Sequence, residues 1–114
     1  KFMETLFTKI INKEIPADII YEDDLSLVFK DINPQAPTHL LIIPKKPIPK
    51  LSDASEEDKE LLGHLMWVAG EISRELGLDE TFRLVTNNGA KAGQSVFHLH
   101  LHLLSGRPLQ WPPG

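Results

Sequence analysis

The chain has 114 residues, 41% hydrophobic and 25% charged, with no cysteine and a formal net charge of −4. That length suits one domain with its own core, and the composition is that of an ordinary globular protein with no apolar run near the ~20 residues of a membrane span. Lack of cysteine excludes disulfides, a thiol nucleophile and thiolate metal sites; the acidic balance argues against general nucleic-acid binding, so any phosphate is held locally by a few groups.

Residues 4–15 place Leu6, Phe7, Ile10 and Ile11 at helical spacing, and Pro16 ends that helix. Residues 18–21 and 25–30 are two β-rich runs around Glu22-Asp23-Asp24, which reads as a hairpin. Asn33-Pro34-Gln35-Ala36-Pro37 is a loop, and residues 38–43 form a third strand closed by Pro44. Ser55-Glu56-Glu57-Asp58 is a capping box for a long helix that runs to about Leu76, with Gly77 just past its end. The apolar stripe of this helix is wide enough for an internal sheet and a partner subunit. Gly63 and Gly70 share one side of it, and close packing against another element is expected to offset their cost of about 1 kcal/mol each relative to Ala. Residues 82–87 form the fourth strand and residues 96–104 the fifth. If that hairpin is symmetric, Asn87 lies beside Val96. The tail over 105–114 is extended and rich in proline, and Trp111 within it is expected to pack on something.

The fifth strand carries His98, His100 and His102 directly behind Gly93-Gln94-Ser95. Alternate residues of a strand share a face, so the three imidazoles stand opposite Phe97, Leu99, Leu101 and Leu103. Crowding three titratable rings is unfavourable unless they have partners or work. A metal site is one reading, but residues i and i+4 of a strand lie ~13 Å apart, which prevents all three rings from meeting on one ion. A pair together with His39 could hold a metal. Ser95 as a nucleophile lacks a surrounding G-x-S-x-G elbow. The coherent combination is histidine attacking phosphorus, with the Gly93-Gln94-Ser95 amides and hydroxyl as an anion cradle.

His98-Leu-His100-Leu-His102-Leu-Leu resembles the signature of the histidine triad superfamily. Phe7, the segment 22–24, the run 31–46, the Gly93-Gln94-Ser95 loop and the ending Trp111-Pro112-Pro113-Gly114 resemble its histidine triad nucleotide-binding branch, over nearly the whole chain. The resemblance implies an α+β fold: a five-stranded antiparallel sheet with two helices, in a single domain, paired into a homodimer with a continuous ten-stranded sheet. It implies a purine nucleoside phosphoramidase that cleaves the P–N bond of mainly adenosine 5'-phosphoramidates, releasing AMP or GMP and an amine.

In that scheme His100 attacks the α-phosphorus to form a nucleotidyl-histidine. His102 holds the phosphate and helps protonate the amine, while His98 and His39 orient the neighbouring rings. Gly93, Gln94 and Ser95 bind phosphate oxygens, Asn87 lies near the bridging atom, and Asp31 takes the ribose hydroxyls. Leu6, Phe7, Ile10, Phe29, Ile32 and Leu41 wall the base, and Trp111 reaches toward the partner's site. Gln110, where relatives often carry histidine, and Lys91-Ala92 depart from the pattern and bear on leaving-group preference. No cofactor or metal, no nucleic acid and no membrane contact is expected, and the location is expected to be cytoplasmic; the chain opens on Lys1, which leaves an organellar leader open. The alternatives are a purine-nucleotide-binding scaffold with incidental hydrolysis, and a zinc-binding protein.

Overall fold

The computed structural model describes residues 4–114. Its first helix, α1, spans Leu6–Ile11. Thr5 starts it: its hydroxyl accepts from the amides of Phe7 and Thr8 (3.1 and 3.3 Å), and the Thr8 hydroxyl accepts from Thr5 N at 2.8 Å. The helix is shorter than the 4–15 expected, because Lys13 adopts φ +62° and turns the chain out of the helix before Pro16 is reached.

Strands β1 (Ile19–Glu22), β2 (Ser26–Lys30) and β3 (Thr38–Pro44) follow in antiparallel order. Helix α2 (Lys59–Glu75) comes next, entered through a 3₁₀ turn at Glu56–Asp58 where Ser55 N donates to Asp58 Oδ2 at 2.9 Å. Strands β4 (Arg83–Val85) and β5 (Leu101–Ser105) complete a sheet of order β1-β2-β3-β5-β4. The expected α+β architecture is therefore present among the described residues: five antiparallel strands and two α-helices. Among the described residues no helix is long and apolar enough to cross a membrane.

The two-residue period of β3 splits the core. Leu40 and Ile42 join Leu65, Val68, Ala69, Ile72, Leu99, Leu101 and Leu103 beneath α2. Leu41 and Ile43 join Phe7, Ile10, Leu27 and Phe29 beneath α1. His39 and His102 follow that alternation onto the α1 face, while Leu101 and Leu103 lie under α2.

Several local expectations change. The fifth strand begins at Leu101, not residue 96, so His98 and His100 lie on an irregular approach to it and Phe97 is exposed. The pairing of β4 with β5 stops at Val85↔His102, so Asn87 lies past the paired residues and the symmetric hairpin expected around it does not form. A Cβ on Gly63 would meet nothing within 4 Å, and one on Gly70 only Arg74 of its own helix at 3.5 Å. Neither glycine is explained by packing within the protomer. Trp111 is 81% exposed and does not pack onto the protomer either.

Candidate active site

Residues from four separate stretches meet at the end of the α1 face. A cavity of about 250 Å³ is walled by Leu6, Phe7 and Ile10 from α1, by Phe29 and Leu41 from β2 and β3, and by Ile32. Asp31, Ser95, His100 and His102 supply its polar edge. Every residue expected to wall a base is therefore present. Ile15, Pro16, Ala17, Lys30 and Val96 also line the cavity. Their signal in the sequence was weak, because a loop following a helix carries no periodicity.

The histidines are held in fixed proton arrangements by partners that act in one direction only. His98, buried beneath Phe7, donates from Nε2 to Pro44 O at 2.7 Å; its Nδ1 has no partner. His100 donates from Nδ1 to His98 O at 2.7 Å. A carbonyl cannot donate, so that Nδ1 carries the proton and Nε2 keeps its lone pair. The Phe7 ring stands edge-on to His100 with centroids 5.1 Å apart. His39 Nε2 lies 2.9 Å from His102 Nδ1 and 3.4 Å from Asp31 Oδ2, and His39 Nδ1 accepts from Gln35 N at 2.9 Å.

Burial holds His98 and His100 below the ordinary imidazole range. Burial, reinforced by the neighbouring His100 and His39, pushes His102 down to about 4. All three rings are therefore neutral near pH 7, the state in which an imidazole nitrogen is a nucleophile.

The loop before the triad divides its labour differently from what the sequence suggested. The side chain of Gln94 is buried. Its Oε1 accepts from Gly89 N at 2.8 Å, and its Nε2 donates to Pro49 O and Val96 O at 2.8 and 3.0 Å. The amides of Gly93 and Gln94 donate to Ala90 O and Gly89 O. Those groups build the loop, and Ser95 is the member that lines the cavity. Gly93 adopts φ +107°, a conformation that favours glycine, and the Asn87 side chain lies beside it, at an ordinary contact distance of 3.5 Å from where a Cβ would stand. Thr86, which carried no sequence signal, donates from its hydroxyl to His100 O at 2.9 Å and fastens the same backbone. None of Asn87, Gly93, Gln94, His98, His39 and Trp111 lines the cavity; Gln94, His98 and His39 hold its loop and rings from behind.

Known proteins resemble this chain in sequence and in fold. The HIT domain model matches residues 12–109. The chain belongs to the HIT family. Its sequence is 64% identical to an uncharacterized HIT-like protein of Synechocystis over 97% of each chain. It is 51% identical to a 14 kDa zinc-binding protein of Zea mays, covering 96% of this chain and 88% of that one. Among solved structures, a HIT family hydrolase from Legionella pneumophila superposes with a TM-score of 0.94 at 50% identity, over 97% of this chain and all (100%) of that one. The HIT fold seen here is thus that of HIT family hydrolases.

The maize relative's name raises the question of zinc. Asp31, His39 and His102 are the candidate set, with ligand atoms within 4.8 Å of one another. A metal between the two rings needs lone pairs on both His39 Nε2 and His102 Nδ1. The Gln35 amide instead draws the His39 lone pair to Nδ1 and leaves the proton on Nε2. The donor set as folded does not fit a zinc ion.

Proposed function

We propose that this HIT protein hydrolyses the P–N bond of purine nucleoside 5'-phosphoramidates, chiefly those of adenosine, through a nucleotidyl-histidine. The observation that carries this reading is the His100 ring: its proton is fastened to His98 O, so Nε2 offers a lone pair at the polar edge of an apolar cavity. A planar base suits the walls built by Phe7, Phe29, Ile32 and Leu41. Asp31, whose Oδ1 accepts from Asn33 N at 2.8 Å, has a second oxygen at the cavity edge for the ribose hydroxyls. Ser95 and His102 take phosphoryl oxygens.

Nε2 of His100 attacks the α-phosphorus, and the P–N bond breaks with its electron pair going to nitrogen. The nitrogen takes a proton and leaves as an amine. Water then attacks the phosphorus, breaks the P–Nε2 bond, and releases the nucleoside monophosphate and free His100. The buried, neutral ring favours both halves, since it is a nucleophile at neutral pH and a good leaving group once phosphorylated. A homodimer belongs to the same reading. It is supported by Met66 and Trp67, which stand 58% and 54% exposed on α2 between the open sites of Gly63 and Gly70, and by the uncovered Trp111.

The deciding experiment is mass spectrometry of the protein quenched during turnover of adenosine 5'-phosphoramidate. An adduct of nucleotide mass is expected on the peptide containing His100. His100→Asn is expected to form none and to lose at least about 10³-fold in rate, while AMP still binds. Full activity in that variant overturns the reading.

A further inference from the structure

The loop joining β2 to β3 is closed by its own bonds. Asp31 N donates to His39 O at 3.0 Å, Asn33 N to Asp31 Oδ1 at 2.8 Å, and Gln35 Nε2 to Asn33 O at 3.0 Å. The start of the C-terminal tail clamps it from outside. Arg107 donates from Nε to Gln35 O at 3.0 Å and from Nη1 to Pro108 O at 2.9 Å. Gly106, at φ +98°, sits so close that a Cβ would lie 2.8 Å from Pro37 Cβ.

Neither Gln35 nor Arg107 lines the cavity. What they position is one backbone N–H, that of Gln35, 2.9 Å from His39 Nδ1. An amide can only donate. His39 must therefore offer its lone pair at Nδ1 and, as a neutral ring, carry its proton on Nε2. Two acceptors meet that proton: His102 Nδ1 at 2.9 Å and Asp31 Oδ2 at 3.4 Å. His102 accepts at Nδ1, so its own proton sits on Nε2. A second proton on His102 would have to enter at Nδ1, head-on to His39 Nε2–H.

We propose that the Gln35 amide, held by Arg107, locks the His39–His102 pair in this one proton arrangement near neutral pH, so that His102 is a neutral Nε2–H donor to a phosphoryl oxygen and Arg107 is a positioning residue. The phosphoryl acceptor rests on the phosphoramidase reading; the lock does not. The proton taken by the departing amine then comes from solvent rather than from His102. The ionisable groups facing His102 are His39 on β3, Asp31 at the end of β2, His100 on its own segment, and Lys30 on the cavity wall. Asp31 is the one carboxylate among them, and it favours a charged ring against the lock. A neutral imidazole acting as electrophile is sound chemistry for a site that must work at constant strength across pH.

The test is ¹⁵N NMR of the histidine rings, free and with AMP bound, from about pH 7 down to about pH 5. In the wild type near pH 7, His39 and His102 are each expected to show an unprotonated Nδ1 and a protonated Nε2, and His102 is expected not to titrate down to about pH 5. In Arg107→Ala, and in Gln35→Pro, which lacks the amide, both rings are expected to show mixed tautomers and His102 to titrate at higher pH, while His100 keeps its Nδ1–H form. The kcat for adenosine 5'-phosphoramidate should fall about tenfold or more with KM within about twofold, and added ethylguanidinium should restore part of it in Arg107→Ala.

A protonated His102 Nδ1 in the wild type overturns the lock, even if Gln35→Pro fails to fold. Unmoved tautomers in folded Arg107→Ala overturn the positioning role. Locked tautomers in a wild-type protein that does not cleave the phosphoramidate leave the lock standing and overturn the function instead.

Discussion

His98 and His100 each give a ring proton to a backbone carbonyl, Pro44 O and His98 O, while His39 takes one from a backbone amide. Main-chain groups do not titrate, so this wiring persists across pH until the rings themselves are forced to charge. Burial lowers the affinity of His98, His100 and His102 for a proton. The unfolded chain therefore binds more protons than the folded one between the ordinary imidazole pKa of about 6.5 and the folded values. The stability contribution is full above about pH 6.5 and is lost as pH falls toward about 4. Urea unfolding at a series of pH values should show this decline, and His102→Gln should flatten it; an unchanged slope in that variant refutes the assignment to His102. Gln94 is the other residue whose chemistry is internal. Gln94→Leu leaves Gly89 N, Pro49 O and Val96 O without its amide, at a cost of about 1–3 kcal/mol for each group that stays buried and unsatisfied. A lower Tm is expected, together with a raised KM as Ser95 loses its support. A raised KM with unaltered Tm would place Gln94 on the substrate instead.

At the scale of elements, what was legible in the sequence followed periodicity and punctuation. The alternation in β3 and the stripe of α2 gave those elements nearly to the residue, as did the capping box at Ser55. Strand β5 began late, because alternating His and Leu over 96–100 looks like a strand whether or not a neighbour pairs with it. Strand β4 ends at Val85, so nothing pairs there. The cavity walls could be named from family resemblance. The wiring among the histidines could not, because it depends on a loop amide and an arginine distant in sequence, and backbone donors carry no sequence signal. Helix α1 offers a sharp test at this scale. It is only six residues long, too short to persist by itself, and Thr5 caps it. Thr5→Ala should cost about 1 kcal/mol and weaken AMP binding several-fold in calorimetry, with single-turnover rates at saturating substrate nearly unchanged. An altered rate with unchanged affinity would show that α1 touches the chemistry rather than the base.

For the whole molecule, the two faces of the sheet carry different work. The α2 face holds the larger apolar core, and beyond it the outer side of α2 leaves Trp67 and Met66 in solvent beside two glycines. The proposed second copy, seated there, would account for the glycines that the protomer leaves unexplained, since helices approach most closely where side chains are smallest. Trp67→Glu should convert a dimer into a monomer in light scattering; a wild type that is itself monomeric refutes the pairing.

The alternation along β3 has one more consequence, for how a nucleotide enters. His39 and His102 hang from strands whose opposite residues, Leu40, Ile42, Leu101 and Leu103, are buried under α2, so displacing those two rings disturbs that core. Across from them, Leu6, Phe7 and Ile10 come from the six residues of α1, and Leu6 stands 50% exposed. A short helix with a half-exposed rim opens at lower cost than strands buried in a core, so amide hydrogen exchange is expected to be faster in α1 than in β3 and β5. On the proposed reading, a nucleotide would enter over α1 while His39 and His102 keep their spacing on the sheet.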